Sequence, residues 1–355
     1  MSPHVLKQLK KVLYSGTVTQ GPQVEKFEKV LSDYIGNPYI ITVNSGTSAL
    51  HLALDLCGVS SGDEVITTPM TCTATNWPIL AHGAKIVWSD IDPDTANIDP
   101  ESIKTKITKK TKAIMVVDWG GYPCDIDAIR EIANGIPIIE DAAHGFGSEY
   151  KGKKVGNTAD YTCFSFQAIK HLTTVDGGLI TVRTKKDHQK VILKRYFGID
   201  RTKRSKDYRI EKDIYDWGYK FHMNDVNATI GLANFKHLPD ILKKHRDNAY
   251  FFRKELAKIP YVELLREDEG FYSSYWLFTM KVPNVEKFSD YMKSHNVMAS
   301  RVHRRNDNHP VTRPFRRPLP NVDKFTKHMV CIPVGWWVTK EDREYIVETI
   351  KSFQG

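Results

Sequence analysis

Hydrophobic positions recur at helical spacing near the start of the chain. Apolar side chains three or four residues apart predict a helix over residues 24–35, and Gly36 ends that pattern. Residues 39–43 then form an apolar run typical of a strand, and a second helical pattern continues through Leu56. Between the two lies the short polar segment Ser45-Gly46-Thr47. This part of the chain therefore alternates between helix and strand.

The alternation continues toward the middle of the chain. Strand-like segments separated by helical stretches, such as residues 125–134, predict an α/β fold with a mainly parallel sheet covered on both faces. From residue 161 onward the β-rich segments become shorter. The strand-like segments are residues 64–68, 85–88, 113–117 and 137–140, followed by 161–166 and 178–182.

A change of pattern suggests where a second domain begins. The charged helical stretch over residues 237–258 leads into a C-terminal part of more mixed pattern. At 355 residues the chain is long enough for two domains. We therefore expect a large domain over residues 1–236 and a smaller one over residues 237–355.

Composition narrows the class of protein. The chain is 41% hydrophobic and 26% charged, which is ordinary for a globular protein. No run of about 18 apolar residues and no apolar core of a secretory signal are present, so we expect no membrane partner and a cytoplasmic location. The five cysteines form no CxxC pair, so neither a metal site nor a disulfide framework is indicated.

The formal net charge of +9 has three explanations. Basic clusters at residues 201–206, 303–305 and 313–317 could be a solvated surface, a nucleic-acid site, or a means of attracting a dianionic substrate such as a nucleotide diphosphate. No nucleic-acid-binding motif is present, so a nucleic-acid partner is the least favoured of the three.

Two polar segments follow predicted strands. Residues 45–47 lie between a strand and a helix, where free backbone N–H groups make an anion site, although such a junction is often only a turn with a helix cap. Asp141, within residues 140–144, follows the apolar run 137–139. A carboxylate at the carboxyl end of a parallel strand points into the crevice where α/β proteins bind ligands, and it could hold a pyridinium N–H. It could equally be a helix cap or a surface carboxylate.

Lys170 combines a strand end with apolar neighbours. It follows the run Phe164-Ser165-Phe166 and precedes Asp176-Gly177-Gly178. Partial burial would lower the pKa of its amine and free it to bind a carbonyl group. Any single lysine is more often a solvated surface residue, so only the order of phosphate loop, carboxylate and lysine in one α/β domain favours this function. Residues 218–224, taken alone, form a polar and aromatic stretch that indicates a structural role.

Together these segments resemble the nucleotide-sugar aminotransferase (DegT/DnrJ/StrS) family. The resemblance covers almost the whole chain and implies the fold of type I pyridoxal-phosphate enzymes, with a large cofactor domain and a smaller C-terminal α/β domain. It is carried by Ser15-Gly16, Gly21-Pro22, Ser45-Gly46-Thr47, residues 140–144, Phe164-Ser165-Phe166 with Lys170, Asp176-Gly177-Gly178 and residues 218–224.

The resemblance also implies a role for individual residues. Lys170 would bind pyridoxal phosphate and later move protons at the reacting carbon, while Asp141 would pair with the pyridine nitrogen and His144 would contact the ring hydroxyl. Asn224 would reach the cofactor phosphate of the neighbouring subunit, which implies a homodimer with shared active sites. The phosphate would be held by Gly46, Thr47 and Ser165.

One position departs from the family pattern. Family members usually have an aromatic residue, stacked on the cofactor ring, where this chain has Cys72. A thiol cannot stack in that way, so Cys72 would give only a sulfur contact to the ring. Alternatively Trp77 or another aromatic residue covers the ring.

The substrates implied by the resemblance are glutamate and a nucleotide-linked keto-sugar. A 4-keto-6-deoxyhexose on UDP, dTDP or GDP is the expected acceptor, and a 3-keto sugar is the nearest alternative. We expect the diphosphate to be bound by the C-terminal basic residues His303, Arg304, Arg305 and Arg313.

Two other functions come from the same fold. Some family members dehydrate their sugar and have a histidine in place of the lysine, and Lys170 argues against that branch although His171 is adjacent. A pyridoxal-phosphate-binding regulator would need an added DNA-binding segment, which we do not expect here.

Overall fold

Helices and strands alternate through the first two thirds of the chain. The computed structural model describes residues 1–201 and 213–354. The helices of this part are α1 (Val5–Leu13), α2 (Pro22–Ile35), α3 (Gly46–Leu56), α4 (Thr73–Ala81), α5 (Pro100–Lys104), α6 (Ile126–Ala133), α7 (Lys185–Lys194) and α8 (Asp225–Phe235). The strands are β1 (Ile40–Val43), β2 (Glu64–Thr67), β3 (Lys85–Trp88), β4 (Thr111–Val117), β5 (Ile138–Asp141), β6 (Glu149–Tyr150), β7 (Lys153–Lys154), β8 (Tyr161–Ser165) and β9 (Gly178–Val182).

A seven-stranded sheet organises these elements in the order β1-β9-β8-β5-β4-β2-β3. The pairs from β8 through β5, β4 and β2 to β3 are parallel, whereas β9 runs antiparallel to both of its neighbours. The mainly parallel sheet predicted from the alternating pattern is therefore confirmed. The carboxyl ends of β5 and β8 lie side by side, and this edge of the sheet carries Asp141 and Ser165.

Burial explains why the strands form where the apolar runs lie. All four residues of β5 are buried, as expected for a central parallel strand covered on both faces. The helix α2 buries one face through Phe27, Leu31 and Ile35. It ends at Gly36, whose φ of 81° lies in the left-handed region that favours glycine.

The last third of the chain builds a second, smaller core. Phe252, Phe278, Phe288 and Ile350 are buried together there. An antiparallel sheet in the order β10-β12-β13 supports this core. The elements are α9 (Leu238–Leu256), β10 (Glu263–Leu264), β11 (Phe271–Tyr272), β12 (Phe278–Lys281), α10 (Val285–Ser294), α11 (Pro320–His328), β13 (Met329–Ile332) and α12 (Lys340–Ser352).

One strand of this last third pairs with the earlier part of the chain. β11 is antiparallel to β6, which pairs in turn with β7. The expected boundary between residues 236 and 237 stays a prediction. Across residues 1–201 and 213–354, no helix has the length and apolar character needed to span a membrane.

Candidate active site

Asp141 is the last residue of β5 and its carboxylate is almost completely buried. It accepts a hydrogen bond from the Thr75 hydroxyl at 2.6 Å and one from the Ala143 N–H at 3.1 Å. Burial raises the pKa of Asp141, while these two hydrogen bonds and the positive charge of Lys170 lower it. An ionised Asp141 is therefore best stabilised by a further cationic partner.

Lys170 lies in the loop that joins β8 to β9. A turn closed by the hydrogen bond from Lys170 N–H to Gln167 O, at 3.0 Å, holds its backbone. Burial lowers the pKa of the Lys170 amine to about 8, although the nearby Asp141 and Cys72 raise it. A substantial fraction of this amine is thus neutral near physiological pH. This is the partial burial that its position after an apolar strand predicts.

His144 and Trp276 form a stacked pair beside Lys170. Their ring centroids are 3.9 Å apart at an interplanar angle of 14°. The Lys170 Nζ lies 3.7 Å from the centroid of the Trp276 ring. Burial lowers the pKa of His144 well below its usual range, so the imidazole is neutral. Its buried Nδ1 has no hydrogen-bond partner among the described residues.

The loop before α3 packs against the ends of β8 and β9. The Ser45 side chain caps α3 by accepting a hydrogen bond from the Ser48 N–H at 3.0 Å. A Cβ added at Gly46 would lie 3.0 Å from the Ser165 Cβ, so a larger residue there would require the end of β8 to shift. Gly46 and Thr47 form the first turn of α3, where backbone N–H groups lack intrahelical acceptors and the helix dipole favours an anion.

Cys72 and Trp77 both belong to the α4 segment. Cys72 is the N-cap of α4, is partly buried, and interacts electrostatically with Lys170. The Trp77 ring contacts His309 edge-on at 5.6 Å. The aromatic ring in contact with the Lys170 amine is instead that of Trp276. Sequence analysis did not single out Trp276, because it precedes β12 outside any motif.

Asn224 is the N-cap of α8 and follows His222, which forms a β-bridge with Val43 at the end of β1. Its side chain accepts a hydrogen bond from the Asn227 N–H at 2.9 Å, so it caps the helix of its own chain. The Asn227 amide donates to Thr174 O at 2.7 Å, which ties α8 to the loop that carries Lys170. The described chain thus places α8 beside that loop and gives the Asn224 side chain a structural contact.

The four C-terminal basic residues differ in their surroundings. His303 joins the site, since its ring lies 5.9 Å from that of His144, and burial lowers its pKa to about 4. Arg304 and Arg313 are exposed.

Arg305 is buried and paired with Asp307, at 2.7 Å, and with Asp323. Its guanidinium is therefore committed to the protein itself. Of the cluster 201–206, residues 202–206 lie outside the described part of the chain.

A partly buried lysine amine near a buried carboxylate, at the carboxyl edge of a mainly parallel sheet, is the arrangement that pyridoxal-phosphate enzymes use. Comparison with known proteins narrows the class. The DegT/DnrJ/EryC1/StrS aminotransferase family matches residues 2–351. The chain belongs to this family, and it is a sugar aminotransferase of fold type I.

Three similar proteins illustrate the relationship. The sugar aminotransferase CalS13 from Micromonospora echinospora is 38% identical, with a TM-score of 0.96 over 100% of this chain and 98% of its own. The PLP-form of Spr1654 from Streptococcus pneumoniae is 27% identical, with a TM-score of 0.89 over 99% and 96% of the two chains. The spore coat polysaccharide biosynthesis protein SpsC from Bacillus subtilis is 36% identical over 72% of this chain and 67% of its own.

The residues present fit pyridoxal phosphate, the cofactor of this family. Asp141 offers a buried carboxylate to a pyridinium nitrogen, and the buried Nδ1 of His144 is free of protein partners among the described residues. The helix start at Gly46, crowded against Ser165, offers backbone N–H groups to a phosphate. The Lys170 amine completes the set.

Proposed function

We propose that this aminotransferase moves the amino group of glutamate onto a nucleotide-linked 4-keto-6-deoxyhexose, which yields a 4-amino-4,6-dideoxy sugar. The observation that carries the amino-transfer chemistry is the Lys170 amine, whose pKa burial lowers to about 8 near the buried carboxylate of Asp141. The choice of a 4-keto-6-deoxyhexose follows the family resemblance. Such an amine can bind a carbonyl group and exchange protons at neutral pH.

Asp141 and His144 would hold and orient the cofactor ring. Bound pyridoxal phosphate supplies an electron sink and carries the amino group between donor and acceptor. The Asp141 carboxylate would keep the pyridine nitrogen protonated, and the hydrogen bonds from Thr75 and Ala143 fix its orientation. His144, neutral because it is buried, would offer Nδ1 to the ring hydroxyl.

Lys170 would move the proton in both halves of the reaction. Its Nζ would take a proton from the donor carbon and return one to the sugar carbon, which requires an amine that is neutral for part of the time. The phosphate would be bound by the N–H groups at Gly46 and Thr47 and by the Ser165 hydroxyl. Cys72, at the start of α4, would contribute a sulfur contact to the ring.

We also propose a homodimer with shared active sites. Apolar side chains on the Lys170 loop are exposed in the single chain, with Ile169 at 64% and Val175 at 48%. Tyr215 and Trp217, which precede the Asn224 segment, are 94% and 59% exposed. A second subunit would cover this surface.

In that dimer, Asn224 would extend its amide toward the partner's phosphate. The side-chain oxygen caps α8 of its own chain, so the NH₂ group stays available as a donor.

The exposed guanidinium groups of Arg304 and Arg313 would bind the nucleotide diphosphate, while Arg305 would stabilise the segment through its ion pairs. Replacing Arg304 or Arg313 by Ala should raise the KM for the sugar nucleotide about ten- to a hundred-fold and leave the glutamate half-reaction unchanged. Arg183→Ala is the matched control, since Arg183 pairs with Asp160 at the amino end of β8. If neither variant changes the KM, the diphosphate is bound elsewhere.

The names of two similar proteins support the proposed activity. CalS13 is named a sugar aminotransferase, and SpsC is named for spore coat polysaccharide biosynthesis. The alternative acceptor, a 3-keto sugar, would require the same protein residues. Only an assay with each substrate distinguishes it from a 4-keto sugar. A sugar dehydratase is disfavoured because Lys170, rather than a histidine, occupies the lysine position. The cytoplasmic location stays a prediction.

A substrate screen tests the proposed function. Purified enzyme with glutamate is incubated with UDP-, dTDP- and GDP-linked 4-keto-6-deoxysugars and with 3-keto isomers, and 2-oxoglutarate and the amino sugar are measured. One nucleotide series should give glutamate-dependent amination at C4, and Lys170→Ala should give none. Amination of only the 3-keto isomers, or loss of the sugar hydroxyl without amination, would replace the proposal by one of its two alternatives.

A further inference from the structure

Trp276 connects the parts of the active site that react. Its ring centroid is 3.7 Å from the Lys170 Nζ and 3.9 Å from the His144 ring centroid. The rings of Trp276 and His303 are also nearly parallel, at 6.4 Å and 15°. The indole N–H donates to Ile169 O at 2.9 Å, which fixes the ring against the lysine loop. Trp276 therefore contacts Lys170 and His144, which are assigned to the cofactor, and His303, which is assigned to the sugar, lies near the same group.

The reacting carbon of the sugar must come close to this indole. Lys170 can exchange a proton with that carbon only if its Nζ and the carbon are within hydrogen-bond reach. Because the Nζ lies against the Trp276 ring, a sugar that reacts there comes near the same ring. The indole is thus a wall of the sugar site, beyond whatever contact it makes with the cofactor.

The polar groups of this wall are unevenly distributed. The indole N–H is already bonded to Ile169 O, so Trp276 offers a sugar hydroxyl no further hydrogen bond. The Nε2 of His303 is buried without a partner among the described residues and can bond to one sugar hydroxyl. In a 4-keto sugar, C3 carries a hydroxyl and C5 carries C6. The hydroxyl on C3 therefore suits His303, and the C5–C6 side suits the indole.

We propose that Trp276 is a specificity-determining residue of the sugar half-reaction, and that its indole face packs against C5 and C6 and selects a methyl group over a hydroxymethyl group at C6. The inference rests on the proposed function, because it takes C4 as the reacting carbon. A C6 hydroxyl against the indole would lose its hydration without gaining a partner, whereas a methyl group gains apolar contact.

The test compares two substrates and two half-reactions. With the nucleotide found in the screen, kcat/KM is measured for the 4-keto-6-deoxyhexose and for the 4-keto hexose that keeps its 6-hydroxyl. Wild type should prefer the 6-deoxy sugar about ten- to a hundred-fold. Trp276→Ala should remove most of this preference by lowering kcat/KM for the 6-deoxy sugar. Trp276→Gln, which offers a donor and an acceptor, should shift the preference toward the 6-hydroxyl sugar.

The glutamate half-reaction separates selectivity from support of the lysine loop. Trp276→Phe keeps an apolar ring but loses the bond to Ile169, and single-turnover absorbance with glutamate should show a smaller loss of rate in this variant than amination of the 6-deoxy sugar does. Trp336→Phe, a change at an exposed tryptophan, is the matched control and should alter neither measurement.

Either of two results would overturn the inference. In one, the Trp276 variants lower kcat/KM for both sugars by the same factor. In the other, they slow the glutamate half-reaction as much as the sugar half-reaction. Wild type that aminates no 4-keto-6-deoxysugar would instead refute the proposed function, so the two failures are distinguishable. If Trp276→Ala does not fold, the ratio of kcat/KM for the two sugars, measured in Trp276→Phe and Trp276→Gln, tests the inference.

Discussion

The reactivity of Lys170 follows from where its amine lies. Burial in the loop after β8 lowers its pKa to about 8, against the opposing effects of Asp141 and Cys72. Only the neutral amine attacks an aldehyde, and its fraction rises as the pH passes upward through the pKa. We therefore expect the rate of pyridoxal-phosphate rebinding to cofactor-free enzyme to rise with pH and to level off above about pH 8. Stopped-flow absorbance measures this rate.

Borohydride trapping accompanies that measurement. Reduction should attach the cofactor to the peptide that contains Lys170, and Lys170→Ala should trap none there. A rebinding rate that does not change across the pH range, or a label on another lysine, would contradict the assignment.

The Asp141 carboxylate should matter through its charge more than through its shape. Asp141→Asn keeps one acceptor oxygen for the Ala143 N–H and presents an NH₂ group to the Thr75 hydroxyl, but the neutral amide supports a protonated pyridine poorly. We expect kcat to fall about a hundred- to a thousand-fold while the fold is kept. Steady-state kinetics and circular dichroism measure the two effects. Asp127→Asn, at an exposed carboxylate paired with Lys151, is the control. Near-wild-type kcat in Asp141→Asn would exclude the pairing.

At the scale of the elements, one carboxylate links two helices. Asp225 begins α8, is 2% exposed, and accepts hydrogen bonds from the backbone N–H groups of Gly21, Gln23 and Val24 at the start of α2. It therefore supplies the acceptors that the first turn of α2 lacks. This contact also holds the start of α8, next to Asn224, against α2.

Replacing Asp225 should destabilise the fold. Asp225→Ala leaves these buried N–H groups without an acceptor, and we expect the free energy of unfolding to fall by about 3 kcal/mol. Asp225→Asn keeps one acceptor and should lose less. Urea denaturation of the cofactor-loaded protein measures the change, with Asp240→Ala, at an exposed first-turn carboxylate of α9, as the control. Equal stability of Asp225→Ala and wild type would show that water replaces the carboxylate.

Local patterns predicted the helices and strands well, because the spacing of apolar residues that are close in sequence determines which face of a helix or strand is buried. The helix expected over residues 24–35 is α2 (Pro22–Ile35), and the strand expected over residues 137–140 is β5 (Ile138–Asp141). Pairing between distant segments was not predictable in this way. No local pattern places β9 between β1 and β8 or pairs β11 with β6.

The same distinction applies to the site. Asp141 and Lys170 follow strands, so their positions at one edge of the sheet could be expected from sequence. Trp276 and Thr75 reach Lys170 and Asp141 from other segments, which no spacing reveals. The ion pairs that commit Arg305 were equally hidden, since Asp323 lies on the separate helix α11.

At the scale of the whole molecule, the proposed dimer predicts that each active site uses residues of two subunits. Lys170→Ala removes the amine from one chain. Asn224→Asp keeps the oxygen that caps α8 but replaces the donor by a negative charge, which repels the partner's phosphate. Each variant alone should be inactive or bind the cofactor weakly. A hybrid of the two has one site with both changes and one with neither.

Mixing the two variants should therefore restore activity. Random exchange of equal amounts makes half of the dimers hybrid, each with one intact site of two, so about a quarter of the wild-type activity should return. The recovery should follow the rate of subunit exchange, which sedimentation of a tagged and an untagged chain measures independently. A mixture of Lys170→Ala with Asp141→Asn is the control, because both residues belong to the site of their own chain and no hybrid site is intact. No recovery after verified exchange, or an active monomer, would show that Asn224 serves the site of its own subunit.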